Sequence, residues 1–107
     1  MWYLTFDDRQ IVNLSLAARI RAYKDEKGMV DVVADVPGWH LIEKGNGYIL
    51  AAGYVPVRLV SCGNSVNEAE EIVRLFYRAL RAGVCAADLD KILDFEKEED
   101  AGDAGDD

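Results

Sequence analysis

Between Ala18 and Val36, "ARIRAYKDEKGMVDVVADV", the chain alternates twice in a way that admits one strand register. Arg19 and Arg21 interleave with Ile20 and Ala22; Asp31 and Asp35 interleave with Val30, Val32 and Ala34. Each run has one wet and one dry face. Directly opposed residues of an antiparallel pair share a face. A two-residue loop at Glu26-Lys27 would set Ala22 against Asp31 and mix the faces. A three-residue loop, Glu26-Lys27-Gly28, sets Ala22 against Val32, Ile20 against Ala34 and Arg19 against Asp35. It also puts Gly28 where a type I turn with a G1 bulge requires positive φ.

The rest of the first three quarters reads as further antiparallel sheet. "WYLTF" and "QIVNL" form a hairpin across Asp7-Asp8-Arg9. Pro37-Gly38 is expected to end a strand. "WHLIEKGNGYILAAGY" then reads as a hairpin turning at Asn46-Gly47, with Trp39 opposite Tyr54 and His40 opposite Gly53. Pro56 is expected to break or bulge the chain before a last strand, "VRLVS".

"SVNEAEEIVRLFYRALRAG" predicts a helix from about Ser65 to Ala82. Ser65 and Glu68 make a capping box, acids crowd the positive end of the dipole, and Gly83 supplies the stop. Ala69, Ile72, Val73, Phe76 and Leu80 form one apolar stripe, which must lie on the sheet. "ADLDKILDF" predicts a short second helix with Leu89, Ile92, Leu93 and Phe95 as its apolar positions. The expected fold is α+β: an antiparallel, curled sheet of five to seven strands in a hairpin meander, packed by one C-terminal amphipathic helix.

A chain of 107 residues suits one domain, here residues 1–95, followed by an acidic tail over 96–107. Of 20 acidic and 12 basic residues, seven acids and one lysine lie from Glu96 onward, leaving 13 and 11 in the body. The net charge of −8 is therefore mostly tail, and a segment this polar is expected to be disordered and solubilising. "MWYLTFDDRQ" lacks the pattern of a signal peptide, and "GNGYILAAGYVPV" is too short to span a bilayer. A cytoplasmic protein without membrane association is expected.

Cys62 stands at the bend that opens the helix, where a dipole favours a thiolate. A thiol nucleophile needs a base, and the single histidine, His40, falls inside a hairpin strand with no motif linking the two. A small buried thiol is the expected role. Cys85 lies beyond the helix, about 25 Å away at 1.5 Å per residue, too far for a disulfide. No paired ligands suggest zinc, "GNGYILAAG" lacks the third glycine of a dinucleotide loop, and "DAGDAGDD" lacks the positions of a calcium loop. No catalytic residue, metal or cofactor is assigned.

Two surfaces remain. Arg74, Arg78 and Arg81 form a basic stripe opposite the apolar one, with Glu70 and Glu71 in reach of Arg74. The aromatic residues are the other: Trp2, Trp39, Tyr48 and Tyr54, with Tyr3 and Tyr77, exceed what so small a core can hold, and an exposed Trp or Tyr often anchors a partner. The candidate partner-binding residues are thus Trp2, Trp39, Tyr48, Tyr54, Arg74, Arg78 and Arg81.

"WYLTFDDRQIVNL", "YILAAGYVPVRLVS" and "SVNEAEEIVRLFYRAL" resemble, in pattern, a group of small uncharacterised bacterial and phage α+β proteins, with Arg9 where those carry a turn glycine. The resemblance covers about residues 1 to 82 and implies a small sheet packed by a helix, with no activity to transfer. The expected function is a non-enzymatic protein-binding module, of the phage or mobile-element accessory or inhibitor kind, that occupies a partner's surface. The alternatives are an acidic inhibitor of a nucleic-acid enzyme, of the anti-CRISPR or anti-restriction type, and a thiol enzyme or redox sensor using Cys62. The expected partner is a protein, with direct nucleic-acid binding not expected and a homodimer compatible.

Overall fold

The structure, a computed structural model, describes residues 1–5 and 10–96. The Asp7-Asp8-Arg9 turn and the tail beyond Glu96 lie outside the described residues; Glu96 itself ends a helix. In chain order the elements are β1 (Trp2–Leu4), β2 (Ile11–Asn13), a 3-10 turn (Leu14–Leu16), β3 (Arg19–Lys24), β4 (Val30–Lys44), β5 (Gly47–Ser61), α1 (Val66–Arg81), β6 (Ala86–Ala87) and α2 (residues 89–96). The architecture is α+β with mainly antiparallel pairing.

The alternation from Ala18 to Val36 yields the register argued from it. Ala22 pairs with Val32, Ile20 with Ala34 and Arg19 with Asp35. Asp25 and Met29 close the loop, the Asp25 N–H donating to the Met29 carbonyl at 2.9 Å, and Gly28 takes φ 84°. The dry face of β3 and β4 then meets α1. Ile20, Val30, Val32 and Ala34 join Ala69, Ile72, Leu75, Phe76 and Ala79 in one core with Tyr3, Ile92 and Phe95. Tyr3 meets Phe76 edge-on at 4.9 Å between ring centroids. The helix stripe is centred on Leu75 and Ala79 as well as the expected Ala69, Ile72 and Phe76, with Val73 and Leu80 at its margin. Ser65 caps α1, its hydroxyl accepting from the Glu68 N–H at 3.2 Å.

Three expectations are corrected. First, the described strands form two three-stranded sheets, β2-β1-β6 and β3-β4-β5, in place of one meander. β1 pairs antiparallel with β2 and takes β6 in parallel on its other edge, while the 3-10 turn, capped by Asn13, separates β2 from β3. Second, neither proline interrupts a strand. β4 runs through Pro37-Gly38 and β5 through Pro56. The Val30 N–H and C=O bond Gly63 and Cys62, at 2.6 and 2.8 Å, so even-numbered residues of β4 aim at β5 and odd-numbered ones aim away. Pro37 opposes Tyr54 and Pro56 opposes Asp35 in this outward class, so no ladder bond is lost at either. The bulge falls lower, between Val32 and Val33, where Val60 and Arg58 are the partners and Leu59 is the extra residue.

Third, the long hairpin turns at Gly45-Asn46, closed by Lys44 and Gly47, with Gly45 at φ 62°. Trp39 therefore opposes Ala52 and His40 opposes Ala51. This register sets Gly38 against Gly53. A Cβ on Gly38 would lie 2.5 Å from Val55 Cγ2, and one on Gly53 would lie 3.0 Å from the His40 ring, so the paired glycines form a notch into which both side chains fold.

β3 stops opposite Asp35, but β4 and β5 continue as a two-stranded arm, and the molecule measures 66 × 31 × 22 Å along its principal axes. The other edge of this sheet is held at one residue. The Tyr77 hydroxyl accepts from the Ile20 N–H at 3.1 Å and donates to the Ile20 carbonyl at 3.2 Å, occupying both outward groups of that β3 residue.

Candidate functional site: the two-stranded arm

Period-2 geometry sorts the arm's side chains onto two faces. One face carries Trp39, Leu41, Tyr48, Leu50 and Tyr54, from the pairs Trp39–Ala52, Leu41–Leu50, Glu43–Tyr48 and Pro37–Tyr54. The other carries His40, Ile42, Ile49 and Val55, and continues at its base into the face covered by α1. Trp39 and Tyr48 are each 69 % exposed and Leu41 is 70 % exposed. No residue between Pro37 and Pro56 belongs to the buried core. The aromatic face therefore lies on the side of the sheet away from α1 with nothing of the described chain over it.

Three of the expected partner-binding residues, Trp39, Tyr48 and Tyr54, are thus brought together. The hairpin register expected from the sequence was off by two, which changes every partner and no face. Trp2 is exposed on β1 in the other sheet. Arg74 and Arg81 are exposed on the outer side of α1, where Arg74 pairs with Glu71, but Arg78 is half-buried with its Nη1 out of solvent, so the expected stripe of three is reduced to two. Leu41 and Leu50 belong to the arm's face and were not singled out in the sequence. The signal for Leu50 is the failure of alternation in "GYILAAGYVPV", where both parities are apolar and neither face can be the wet one; for Leu41 it is the adjacent apolar pair Leu41-Ile42.

At the root of the same face Asp35 is buried beneath two guanidinium groups. Arg19 Nε donates to Oδ2 at 2.6 Å, and Arg21 donates from Nε to Oδ2 at 2.9 Å and from Nη2 to Oδ1 at 3.2 Å. The bonds from Arg21 and then Arg19 hold the carboxyl down to about 2, against the opposing effect of burial. Arg21 also lies 5.5 Å from the Tyr23 ring centroid.

Cys62 is buried, and burial pushes its thiol up, with Glu68 and Asp31 adding to the effect. His40 is elsewhere: it sits on the arm with its Nε2 at 2.9 Å from the Tyr54 carbonyl. Its cross-strand partner Ala51 is eleven residues along β5 from Cys62, roughly 35 Å at the rise of a strand. The two are not brought together, and Cys85 is a free, exposed thiol. A groove of about 460 Å³ lies between Tyr3, Leu59, Val60, Ser61, Asp88, Leu89 and Asp90. Two of its polar groups serve the fold: the Tyr3 hydroxyl donates to the Leu59 carbonyl at 3.2 Å, and Asp88 accepts from the Lys91 N–H at the start of α2. Among the described residues no group of three or more His, Cys, Asp or Glu side chains is placed to hold a metal, and no helix is long and apolar enough to cross a membrane. No family model, curated protein or solved structure matches the chain.

Proposed function

We propose that the chain is a non-enzymatic protein-binding module, of the phage or mobile-element accessory or inhibitor kind, and that the arm is its binding element. One observation carries this reading: Trp39, Leu41, Tyr48, Leu50 and Tyr54, each more than half exposed, share one face. Together they offer on the order of 700 Å² of apolar side chain, above the few hundred Å² usual for a monomer's largest patch. The face also joins rigid aromatic anchors, the residue types that dominate binding hot spots, on a frame already ordered by its backbone ladder. Between Pro37 and Tyr54 the only acid is Glu43 and the only lysine or arginine is Lys44, so the arm offers neither a row of carboxylates to stand in for phosphates nor a basic track. That favours a protein surface over mimicry of nucleic acid.

The test is affinity purification from the native host with the intact chain as bait, beside Trp39→Ala and Tyr54→Ala baits. A protein that co-elutes with the intact chain and is lost with either arm variant supports the reading. A partner retained by both variants and lost when Arg74, Arg78 and Arg81 are replaced would move the binding site to α1.

A further inference from the structure

We infer that the free edge of β5 is a self-association site, at which two copies pair β5 against β5, antiparallel, about a twofold axis at Ala51. The inference rests on the reading of the arm as the binding element and extends it, since joining two arms into one four-stranded sheet sets their two aromatic faces side by side.

The backbone directions come first. Even-numbered residues of β4 aim at β5, so through the register their partners Gly47, Ile49, Ala51, Gly53 and Val55 aim back. Tyr48, Leu50, Ala52, Tyr54 and Pro56 therefore turn their backbone groups outward, and β5 is the last strand of the order β3-β4-β5. Natural edges are guarded by charge, proline, bulges or a covering element. Here Tyr48, Leu50, Ala52 and Tyr54 carry no charge; counted from the tip, the His40 ring on the Tyr54 carbonyl is the first contact on the edge, leaving the Tyr54 N–H side open, and Pro56 is the first residue that cannot pair.

The register follows from that proline and the turn. Pro56 has no N–H to give, and beyond Gly47 the strand ends, so the usable outward residues are Tyr48, Leu50, Ala52 and Tyr54. All four pair in a single symmetric arrangement: Tyr48 of one copy with Tyr54 of the other, and Leu50 with Ala52. The inward class then sets Ile49 against Gly53 and Ala51 against itself on the axis. Bulky residues meet small ones except at the two aromatic pairs, a cross-strand match that stabilises sheets. The Tyr54 carbonyl, which already meets the His40 ring, has a second lone pair for the new bond.

This self-complementary register points to a second copy as the occupant, and local charge does not oppose it. The chain carries a net −8, and like-charged bodies repel, but the arm contributes one acid and one lysine, side by side at Glu43 and Lys44. This is where two copies meet without stacking like charges. The outer edge of β4 does not compete: Pro37 bounds it, and pairing it with itself about Leu41 would set Trp39 against Glu43.

The experiment is sedimentation of the full chain from micromolar to near-millimolar concentration, with amide exchange read at single residues. A concentration-dependent dimer is expected, in which the Leu50 and Ala52 N–H groups exchange at least about tenfold more slowly than in dilute monomer. Ala52→Pro removes an outward donor without touching the intrachain ladder, and Leu50→Lys places a charge on the edge; both should sediment as monomers with an unaltered circular dichroism spectrum. Should Ala52→Pro prove misfolded, Leu50→Lys and the wild-type exchange pattern decide. A wild-type monomer at every concentration, or a dimer that survives Leu50→Lys, overturns the inference. A wild-type monomer that still captures a partner through Trp39 would remove the self-association alone and leave the proposed function standing. A dimer whose partner capture ignores Trp39 and Tyr54 would do the reverse.

Discussion

Asp35 occupies a buried place on a strand flanked by valines and alanines, and it is tolerated there because Arg19 and Arg21 satisfy both of its oxygens. Its folded-state value of about 2 lies below the ordinary 3.8, so its stabilisation is complete above the ordinary value and is lost as pH falls through about 2. Because Arg19 is mostly in solvent, the contribution at neutral pH is discounted to about 1–2 kcal/mol. Asp35→Asn should be less stable than wild type by that amount in urea unfolding at pH 7, and the gap should close as pH is lowered from 4 towards 2. A gap unchanged at low pH would assign the loss to packing. Cys62 is the second residue whose environment sets its chemistry. Cys62→Ala should retain partner binding, whereas Cys62→Ser should melt lower, since a hydroxyl buried at that bend needs a partner that a thiol does without. A titration with iodoacetamide at neutral pH should label exposed Cys85 first and Cys62 slowly. Fast labelling of Cys62 with loss of binding would make it a functional thiol.

Among the elements, α1 and the arm depend on different forces. α1 holds to the sheet by burial, so Phe76→Ala, which empties the space against Tyr3, should cost about 3–5 kcal/mol in equilibrium unfolding. An unchanged melting temperature would mean that Phe76 is not in the core. The arm holds by its ladder and by the Gly38–Gly53 notch, with little burial. This difference explains what could be foreseen. The β3–β4 register was legible because one face is dry and a glycine had to reach positive φ, so only one loop length satisfied both. In the arm both faces are apolar, and alternation reports parity alone: a slip of two residues leaves every side chain on its own face. The grouping of Trp39, Tyr48 and Tyr54 survived that slip for the same reason. The prolines misled because a missing N–H matters only where it aims at a neighbouring strand, and aim is set by pairing that no local pattern contains. β6 is two alanines long, too short for any period to show. Of the candidate residues, Trp2 and the three arginines were separated from the rest because their distances from the arm depend on how two sheets and a helix assemble.

At the scale of the whole molecule, the body and the arm are energetically separate. The buried core runs from Met1 to Phe95 and skips the stretch between Pro37 and Pro56. Removing residues 38–53 and joining Pro37 to Tyr54 through a short Asn-Gly turn should leave a folded body whose calorimetric melting point is within about 5 °C of the intact chain, with partner capture and self-association both gone. A collapsed melting point would show that the arm stabilises the body. The hydroxyl of Tyr77 has a further consequence, best put in the language of step-growth polymers. A three-stranded sheet with two free edges is a difunctional monomer and adds copies without limit, whereas a sheet with one edge stopped is monofunctional, and its growth ends at the pair. By holding the outward groups of Ile20, Tyr77 caps that edge at the end nearest the arm. Tyr77→Phe keeps the ring and frees that end, so concentrated solutions of the variant should scatter light and sediment as a ladder of sizes where the wild type stops at two.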